Sequence, residues 1–263
     1  MRDLGIVDFD EPYTRLFNQG IMITEGGKIS KRNRPMPADP LVERFGTDTV
    51  RTYLMFLGPW GDGGMWSDEG MNGPSRWLNR VWDLATRDPE RLTSVPIDKA
   101  IDTRILRGSH AISKKAVADF EAFKFNTVIA GLMEYTNELA KAWDAGGVSP
   151  DTWCEAMERT LLILAPIAPH ITEELWERTG HEFSIHSQNL PTWDEDLTMA
   201  ETVTIVVQVN GKLRARMEMP ADSTEETVAA AAMAESNVQT HTDGKQIRKQ
   251  IYVPNKLLNL VVV

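Results

Sequence analysis

The apolar residues of this chain change period once, and that change limits its architecture more than any other feature of the sequence. From about residue 73 to 181 they recur at helical spacing, and from about 201 to 263 they alternate. The first pattern buries a stripe along a helix, and the second buries one face of a sheet. A helical part must therefore be joined to a sheet part. The alternating part opens with "TVTIVVQVNGKLRARMEM", folded about Asn210-Gly211, the dipeptide that suits a two-residue hairpin turn. "TEETVAAAAMAESNVQTHT" reads as a helix, and "QIRKQIYVPNKLLNLVVV" as two short strands parted at Pro254-Asn255. Hairpin, helix, strand, strand is a compact α+β unit.

The helical part divides at its own punctuation. Pro74 suits the first turn of a helix whose stripe is Trp77, Leu78, Val81, Trp82 and Leu84. A second helix fits roughly 98–119, and a third runs from about Phe125 to Ala145, ending at "AGG". A fourth begins near Asp151 and is interrupted at "APIAPH", because Pro166 and Pro169 each remove a backbone donor. Helix resumes through "ITEELWERTG", with Gly180 as its C-cap. Such helices on short connections make a bundle. Residues 1–72 are glycine-rich and mostly loop. A short helix fits "TDTVRTYLMFL", capped by Thr47 or Asp48, and a turn or short helix fits "DPLVERFG". The expected divisions are 1–72, 73–181, a linker over 182–200, and 201–263.

Composition removes several function classes. One cysteine, Cys154, permits neither an internal disulfide nor a Cys-based zinc cluster, so a reducing, cytoplasmic setting is expected. The longest apolar runs, such as Leu161–Ala165, fall far short of the ~20 residues that span a bilayer, and no basic-apolar leader is seen, so no membrane partner is expected. The net charge of −10 argues against a generic nucleic-acid coat. Residues 201–263 hold 7 Lys+Arg and 7 Asp+Glu, so the whole excess lies in 1–200. Nucleic-acid contacts must come from local basic clusters.

Two such clusters stand out. "GGKISKRN" places Gly26 and Gly27 before Lys28, Ser30, Lys31 and Arg32, which can hold phosphates, although an isolated run of this kind is more often a solvated basic loop. Lys212, Arg214 and Arg216 alternate along one strand and so should share a face, while Lys245, Arg248 and Lys249 gather before the next. Together they fit a grip on a phosphate backbone, or a charged solvent face. Trp60, Trp66, Trp77 and Trp82 read as core rather than base-stacking platforms, and His170 as a packed helix-break residue. Asp151, Glu155, Glu158, Glu173 and Glu174 read as solvated helix faces.

In order and wording these pieces resemble the C-terminal half of bacterial-type leucyl-tRNA synthetases, which are class I enzymes. "LGIVDFDEPYTRLFNQGIMITEGGKISK" is similar to the run into the family's KMSKS loop. "ERFGTDTVRTYLMFLGP", "FEAFKFNTVIAGLMEYTNELAKA" and "LLILAPIAPHITEELWERTG" resemble its stem and tRNA-binding helices. "VQVNGKLRARMEMPADSTEE" through "GKQIRKQIYVPNKLLNLVVV" resembles its small C-terminal domain. A single cysteine cannot build the zinc domain common in isoleucine enzymes, and the tail has strand period rather than the coiled-coil heptads of valine enzymes, so leucine fits.

The resemblance implies an α+β multidomain fold: a remnant of the catalytic domain with the KMSKS-like loop, a mainly helical anticodon-binding-like bundle, and a small α+β C-terminal domain. It implies ATP-dependent attachment of leucine to tRNA(Leu), with ATP and Mg2+ bound in the assembled enzyme. Lys28, Ser30 and Lys31 take the loop positions, Lys28 and Lys31 against ATP, and Lys212, Arg214, Arg216, Lys245, Arg248 and Lys249 are expected on the tRNA. Ile29 and Arg32 replace the family's usual Met and Ser, and the prolines of "NRPMPADP" stiffen the chain after the loop. No stretch resembles the HIGH motif or its nucleotide-binding sheet. The expectation is therefore no tight ATP binding and no activity alone: a fragment or one half of a split enzyme, with a separate N-terminal catalytic half as partner, or else a freestanding, non-catalytic tRNA-binding module or an inactive paralogue.

Overall fold

The computed structural model describes residues 1–11, 13–25, 27–29, 32, 37–198, 202–221 and 223–262. The chain divides after Asp194 into two compact units, Met1–Asp194 and Glu195–Val263.

The first unit begins with a small sheet that the loop-like sequence of 1–72 conceals. Strands β1 (Ile21–Thr24) and β2 (Gly27–Lys28) pair antiparallel. After helices α1 (Asp39–Phe45) and α2 (Thr47–Phe56), strand β3 (Gly63–Met65) returns parallel to β1. Strands of two to four residues are too short for alternation to show. Close backbone approach explains the glycines here. A Cβ on Gly20 would lie 1.8 Å from the Gly63 nitrogen, and one on Gly63 would lie 2.2 Å from the Ile21 oxygen. The N-cap of α2 is Gly46, not Thr47 or Asp48. Asp48 is instead turned inward, for a reason that lies in the bundle.

That bundle consists of α3 (Asn72–Ala85), α4 (Lys99–Glu121), α5 (Phe125–Ala145), α6 (Pro150–Leu164) and α7 (Pro169–Arg178). Asp98 caps α4 through the Ala100 and Ile101 amides, and Ser149 caps α6 through Thr152, with Pro150 at the first helical position. Ile105, Leu132, Leu139, Trp153, Leu161 and Leu164 are fully buried between them. Each such side chain contributes roughly 1.5–3 kcal/mol relative to exposure. Two buried polar pairs lie inside this core. Trp77 Nε1 donates to Thr136 Oγ1 at 2.9 Å, and the Tyr135 hydroxyl donates to the Ile105 carbonyl at 2.9 Å. Burial pushes the Tyr135 hydroxyl far above its ordinary pKa. Trp77 is core as expected, whereas Trp60, Trp66 and Trp82 are only half-buried.

The break at "APIAPH" is held from α2. Arg51 donates through Nε to the Ile167 carbonyl (3.0 Å) and through Nη2 to the Pro166 carbonyl (2.9 Å). Asp48 Oδ2 accepts from the Ile171 amide at 2.6 Å, and its Oδ1 lies 2.8 Å from His170 Nδ1. Two carbonyls in the break after α6 and an amide left over at the start of α7 are thus satisfied by two side chains one turn apart. His170 is not packed: its side chain is 72% exposed, because Asp48 draws the ring outward to the mouth of the break.

The second unit opens with a short helix α8 (Glu195–Thr198). Strands β4 (Thr202–Val209) and β5 (Lys212–Pro220) form the expected hairpin, with φ of 50° at Asn210 and 77° at Gly211, as a type I′ turn requires. Helices α9 (Glu225–Ala234) and α10 (Ser236–Thr242) stand where the sequence suggests one helix. Glu235 leaves the helical region (φ −72°, ψ 122°), which lets Val228 and Ala232 on one side of it and Val238 on the other all enter the core. Strands β6 (Ile247–Val253) and β7 (Leu257–Val262) complete a four-stranded sheet in the order β5-β4-β7-β6, with β4 and β7 parallel. Ile205, Val207, Val209, Met217, Leu258 and Leu260 meet the two helices on one sheet face.

Candidate functional site

The loop residues begin on the edge of the small sheet. Ile23 pairs with Lys28 and Thr24 with Gly27, so Lys28 is carried by an edge strand with its side chain exposed. Gly27 has φ of 99°, a conformation that excludes ordinary side chains. Two backbone bonds anchor the sheet at its ends, Ile29 N donating to the Met22 carbonyl (3.2 Å) and Trp66 N to the Ile23 carbonyl (2.7 Å). Trp66 in turn meets Tyr53 edge-on at 5.0 Å, and Tyr53 Oη accepts from the Ser67 amide at 2.8 Å. Burial raises the Tyr53 pKa, with the Asp68 carboxylate adding to it. Arg32 is exposed. Ser30 and Lys31 lie outside the described residues. Of the predicted loop cations, Lys28 and Arg32 lie within the described residues, Lys28 at the end of an edge strand.

The second candidate set is rearranged by the sheet register. Val206 pairs with Arg216 and Val207 with Ala215, but Gln208 pairs with Leu213 and Val209 with Lys212. Arg214 is the extra residue of a β-bulge. The bulge overturns the expected common face. Lys212 stands opposite Val209, on the side that faces the helices, whereas Arg216 stands opposite Val206 on the other side. Arg214 is half-buried, and its carbonyl accepts from Asn237 Nδ2 at 2.7 Å. A second irregularity between Ile247 and Lys249 takes Arg248 out of register, and Lys249 pairs with Val261. Lys245 Nζ donates to the His241 carbonyl at 3.1 Å, closing the end of α10.

β5 and β6 are the two edges of the sheet, so the basic clusters lie three strand spacings apart, roughly 14 Å. Arg216 and Lys249 share the face that α9 and α10 leave uncovered, one at each edge. Between them lie Val206, Leu257 and Asn259, half-buried, and Ile251, 39% exposed. Arg216 is level with Val253 on β6, so it and Lys249 are separated both by the width of the sheet and by four residues along it. Two cations so placed over a mixed apolar floor can contact phosphates without reading bases.

The acidic residues read as solvated faces are partly structural. Glu155 pairs with His110 and Arg159, and Glu173 accepts from the Ser184 hydroxyl and the Ile185 amide. Among the described residues no group of His, Cys, Asp or Glu is arranged to hold a metal ion. No described helix is long and apolar enough to cross a membrane.

Residues 102–229 match the family described as the anticodon-binding domain of tRNA ligase. That match runs from α4, through the division at Asp194, into α9. Over 263 residues the chain is 47% identical to a leucine–tRNA ligase of Dehalococcoides mccartyi, covering all of this chain and 32% of the relative. The corresponding ligase of Rubrobacter xylanophilus is 46% identical over 264 residues, again with 32% of its length covered. This chain is a homologue of the C-terminal part of leucine–tRNA ligases. It spans about a third of the length of these curated ligases. A solved structure, the ternary complex of Agrobacterium radiobacter K84 agnB2 LeuRS with tRNA and LeuAMS, is similar with a TM-score of 0.79 and 34% identity. It matches all of this ligase homologue and 35% of the LeuRS chain. A helix-rich α+β architecture with an anticodon-binding-type domain is thus the architecture of a leucine–tRNA ligase C-terminal part.

Proposed function

We propose that this chain supplies the ATP-facing loop and the tRNA-binding domains for the attachment of leucine to tRNA(Leu). The observation that carries the reading is collinear similarity to leucine–tRNA ligases from the first residue to the last, at 47% identity. In the first step the leucine carboxylate attacks the α-phosphate of ATP, giving leucyl-adenylate and pyrophosphate. In the second a terminal ribose hydroxyl of the tRNA attacks the acyl carbon and AMP leaves. ATP enters as its Mg2+ complex. Lys28 and Lys31 hold ammonium charges against phosphate oxygens as negative charge builds in the first step, and Ser30 offers a hydroxyl donor. None of the three need gain or lose a proton.

Residues 1–72 would belong to a nucleotide-binding domain, 73–181 to a helical tRNA-binding domain, and 201–263 to a second tRNA-binding domain after a linker over 182–200. A polypeptide carrying the nucleotide-binding sheet would complete the site. The exposed apolar side chains that precede the loop in the chain support that partner: Leu4, Ile6, Tyr13, Leu16 and Ile21 are between 51% and 85% exposed. Combining this chain with the N-terminal portion of a relative should give leucine-dependent ATP–pyrophosphate exchange. Lys28→Ala should then lower the exchange rate about 100-fold. A folded, associated pair without exchange would rule the catalytic reading out. The proline-rich "NRPMPADP" after the loop favours one further reading, a non-catalytic tRNA-binding module. That module would show salt-sensitive tRNA binding and no exchange in any mixture.

A further inference from the structure

The turn between α4 and α5 carries an aromatic residue where glycine is the usual occupant. The Phe123 amide donates to the Phe120 carbonyl at 3.1 Å, and the Lys124 amide donates to the Asp119 carbonyl at 2.8 Å. This pair of bonds closes a helix on a left-handed residue, and Phe123 is that residue, with φ of 57°. Glycine adopts the conformation freely, whereas a bulky side chain resists it. The turn alone therefore gains nothing from the ring, and its contacts lie with a distant part of the chain. Phe123 stacks on Phe17, with centroids 4.6 Å apart and planes 14° from parallel. The Arg15 guanidinium lies 5.7 Å from the centre of the Phe17 ring and 5.3 Å from that of Phe123. Its Nη1 donates to the Glu121 carbonyl, at the end of α4, at 3.4 Å. Phe125, in the first turn of α5, meets Phe123 edge-on at 5.7 Å and Trp60 at 5.3 Å. The Trp60 carbonyl accepts the Gly20 amide at 2.7 Å. Both segments that lead into the parallel pair of β1 and β3 are thus seated on one helix connection.

We propose that Phe123 is a positioning residue: stacked on Phe17, it seats the entry to β1, and with it the sheet that carries Lys28, on the bundle. The catalytic consequence rests on the reading that Lys28 faces ATP. Trp60 keeps its place on Phe125 when the Phe123 ring is lost, so the sheet is loosened at one entry rather than released. Loosening matters because Lys28 acts as a charge set against developing charge. There a displacement on the order of 1 Å can cost up to about 100-fold in rate.

Phe123→Gly in the full chain removes the ring and suits the backbone, and the turn keeps the bonds of Asp119 to Lys115 and Thr127. Trypsin cleavage after Arg15 requires that side chain to leave the rings. It should quicken about fivefold in Phe123→Gly, as the loss of one aromatic pair predicts, with cleavage after Lys141 in α5 staying at the parent rate. Phe123→Tyr, which keeps a ring in the stack, should be cleaved as the parent is. In pyrophosphate exchange with the N-terminal portion of a relative, Phe123→Gly should lower the rate about tenfold. Alongside Lys28→Ala it should cost less than about threefold, because the two changes remove one interaction. A merely destabilised chain would lose the same factor in both backgrounds, and that result overturns the positioning role. Unchanged cleavage after Arg15 in Phe123→Gly, or equally faster cleavage in Phe123→Tyr, overturns the stack. If the parent pair shows no exchange, the catalytic reading fails, and the cleavage contrast alone decides whether Phe123 seats the segment.

Discussion

Asp48 and Ile171 are 123 positions apart in the chain, yet the Asp48 carboxylate receives the Ile171 amide at 2.6 Å. The bond joins α2, which lies beyond the candidate ATP loop in the chain, to the first turn of α7 in the bundle. A carboxylate at a helix N-terminus meets both a donor without an intrahelical partner and the positive end of the helix dipole. Asp48→Ala leaves that buried amide unsatisfied and frees His170. It should destabilise the first unit by about 1–3 kcal/mol, read by urea unfolding of the full chain. An unchanged urea midpoint would show that the bond contributes nothing net.

The contact of Gly20 with Gly63 predicts a confined failure. Gly63→Ala places a methyl group against the Ile21 backbone and forces a positive φ on alanine. The β1–β3 pairing should open at a cost of at least ~1–3 kcal/mol, with hydrogen exchange quickening over 20–24 and 63–66. Protection in α4, α5 and α6 should remain.

Asp119 predicts a dependence on acid. Burial works against its charged form, but hydrogen bonds from Lys115 and Thr127 outweigh it and hold the carboxyl below its ordinary pKa. A folded-state pKa lower than the unfolded one gives stability that is present above the unfolded value and lost as pH falls through the folded one. Asp119→Asn should therefore be less stable than the parent by about 1 kcal/mol at pH 7. The two should converge in thermal unfolding below the ordinary carboxylate value of about 4. A gap that persists at pH 2 would assign the effect to packing instead.

Cys154 predicts a slow thiol. The residue is exposed as a whole, yet partial burial of its sulfur raises the thiol pKa, with the carboxylates of Asp151, Glu158 and Glu90 adding to the effect. Since the thiolate is the nucleophile, alkylation by iodoacetamide at pH 8 should lag behind a free cysteine peptide. The rate should rise in Glu158→Gln. Alkylation at the peptide rate would contradict the assignment.

The register of β5 predicts which charges matter for tRNA under the proposed function. Arg216→Glu with Lys249→Glu should weaken binding and reduce the salt slope by about 2, one for each phosphate contact removed. Lys212→Glu, on the other side of the sheet, should do less. Equal losses from both changes would mean that the uncovered face is not the contact surface.

Long elements with strong periodicity were legible from residues alone. The bundle helices and the Asn210-Gly211 hairpin fall within a few residues of their expected limits, because caps, prolines and turn glycines are local signals. The glycine-rich β1–β3 sheet was not legible, since its strands are too short to display a period. Nor was the division of the α9–α10 segment at Glu235, which long-range packing on the sheet decides. In the candidate site, the sequence identified the basic residues but mistook their faces, because a bulge is set by pairing between strands. Asp48 and Arg51 did carry a signal, an acid and a base three apart on one short helix. Their partners, brought in from the α6–α7 break, did not.

The bulge at Arg214 has one more consequence. It makes β5 a strand of two phases: beyond the extra residue, inside and outside trade places. Excision of Arg214 would leave Ala215 opposite Val207 and Leu213 opposite Gln208 as neighbours, so Lys212 would keep its place opposite Val209 and no side chain would change sides. The extra residue is thus what sends Lys212 and Arg216, four positions apart and so on one face of an unbroken strand, to opposite sides of the sheet. Among relatives of this chain, one that keeps both basic residues at that spacing but pairs without a bulge should carry them on one side.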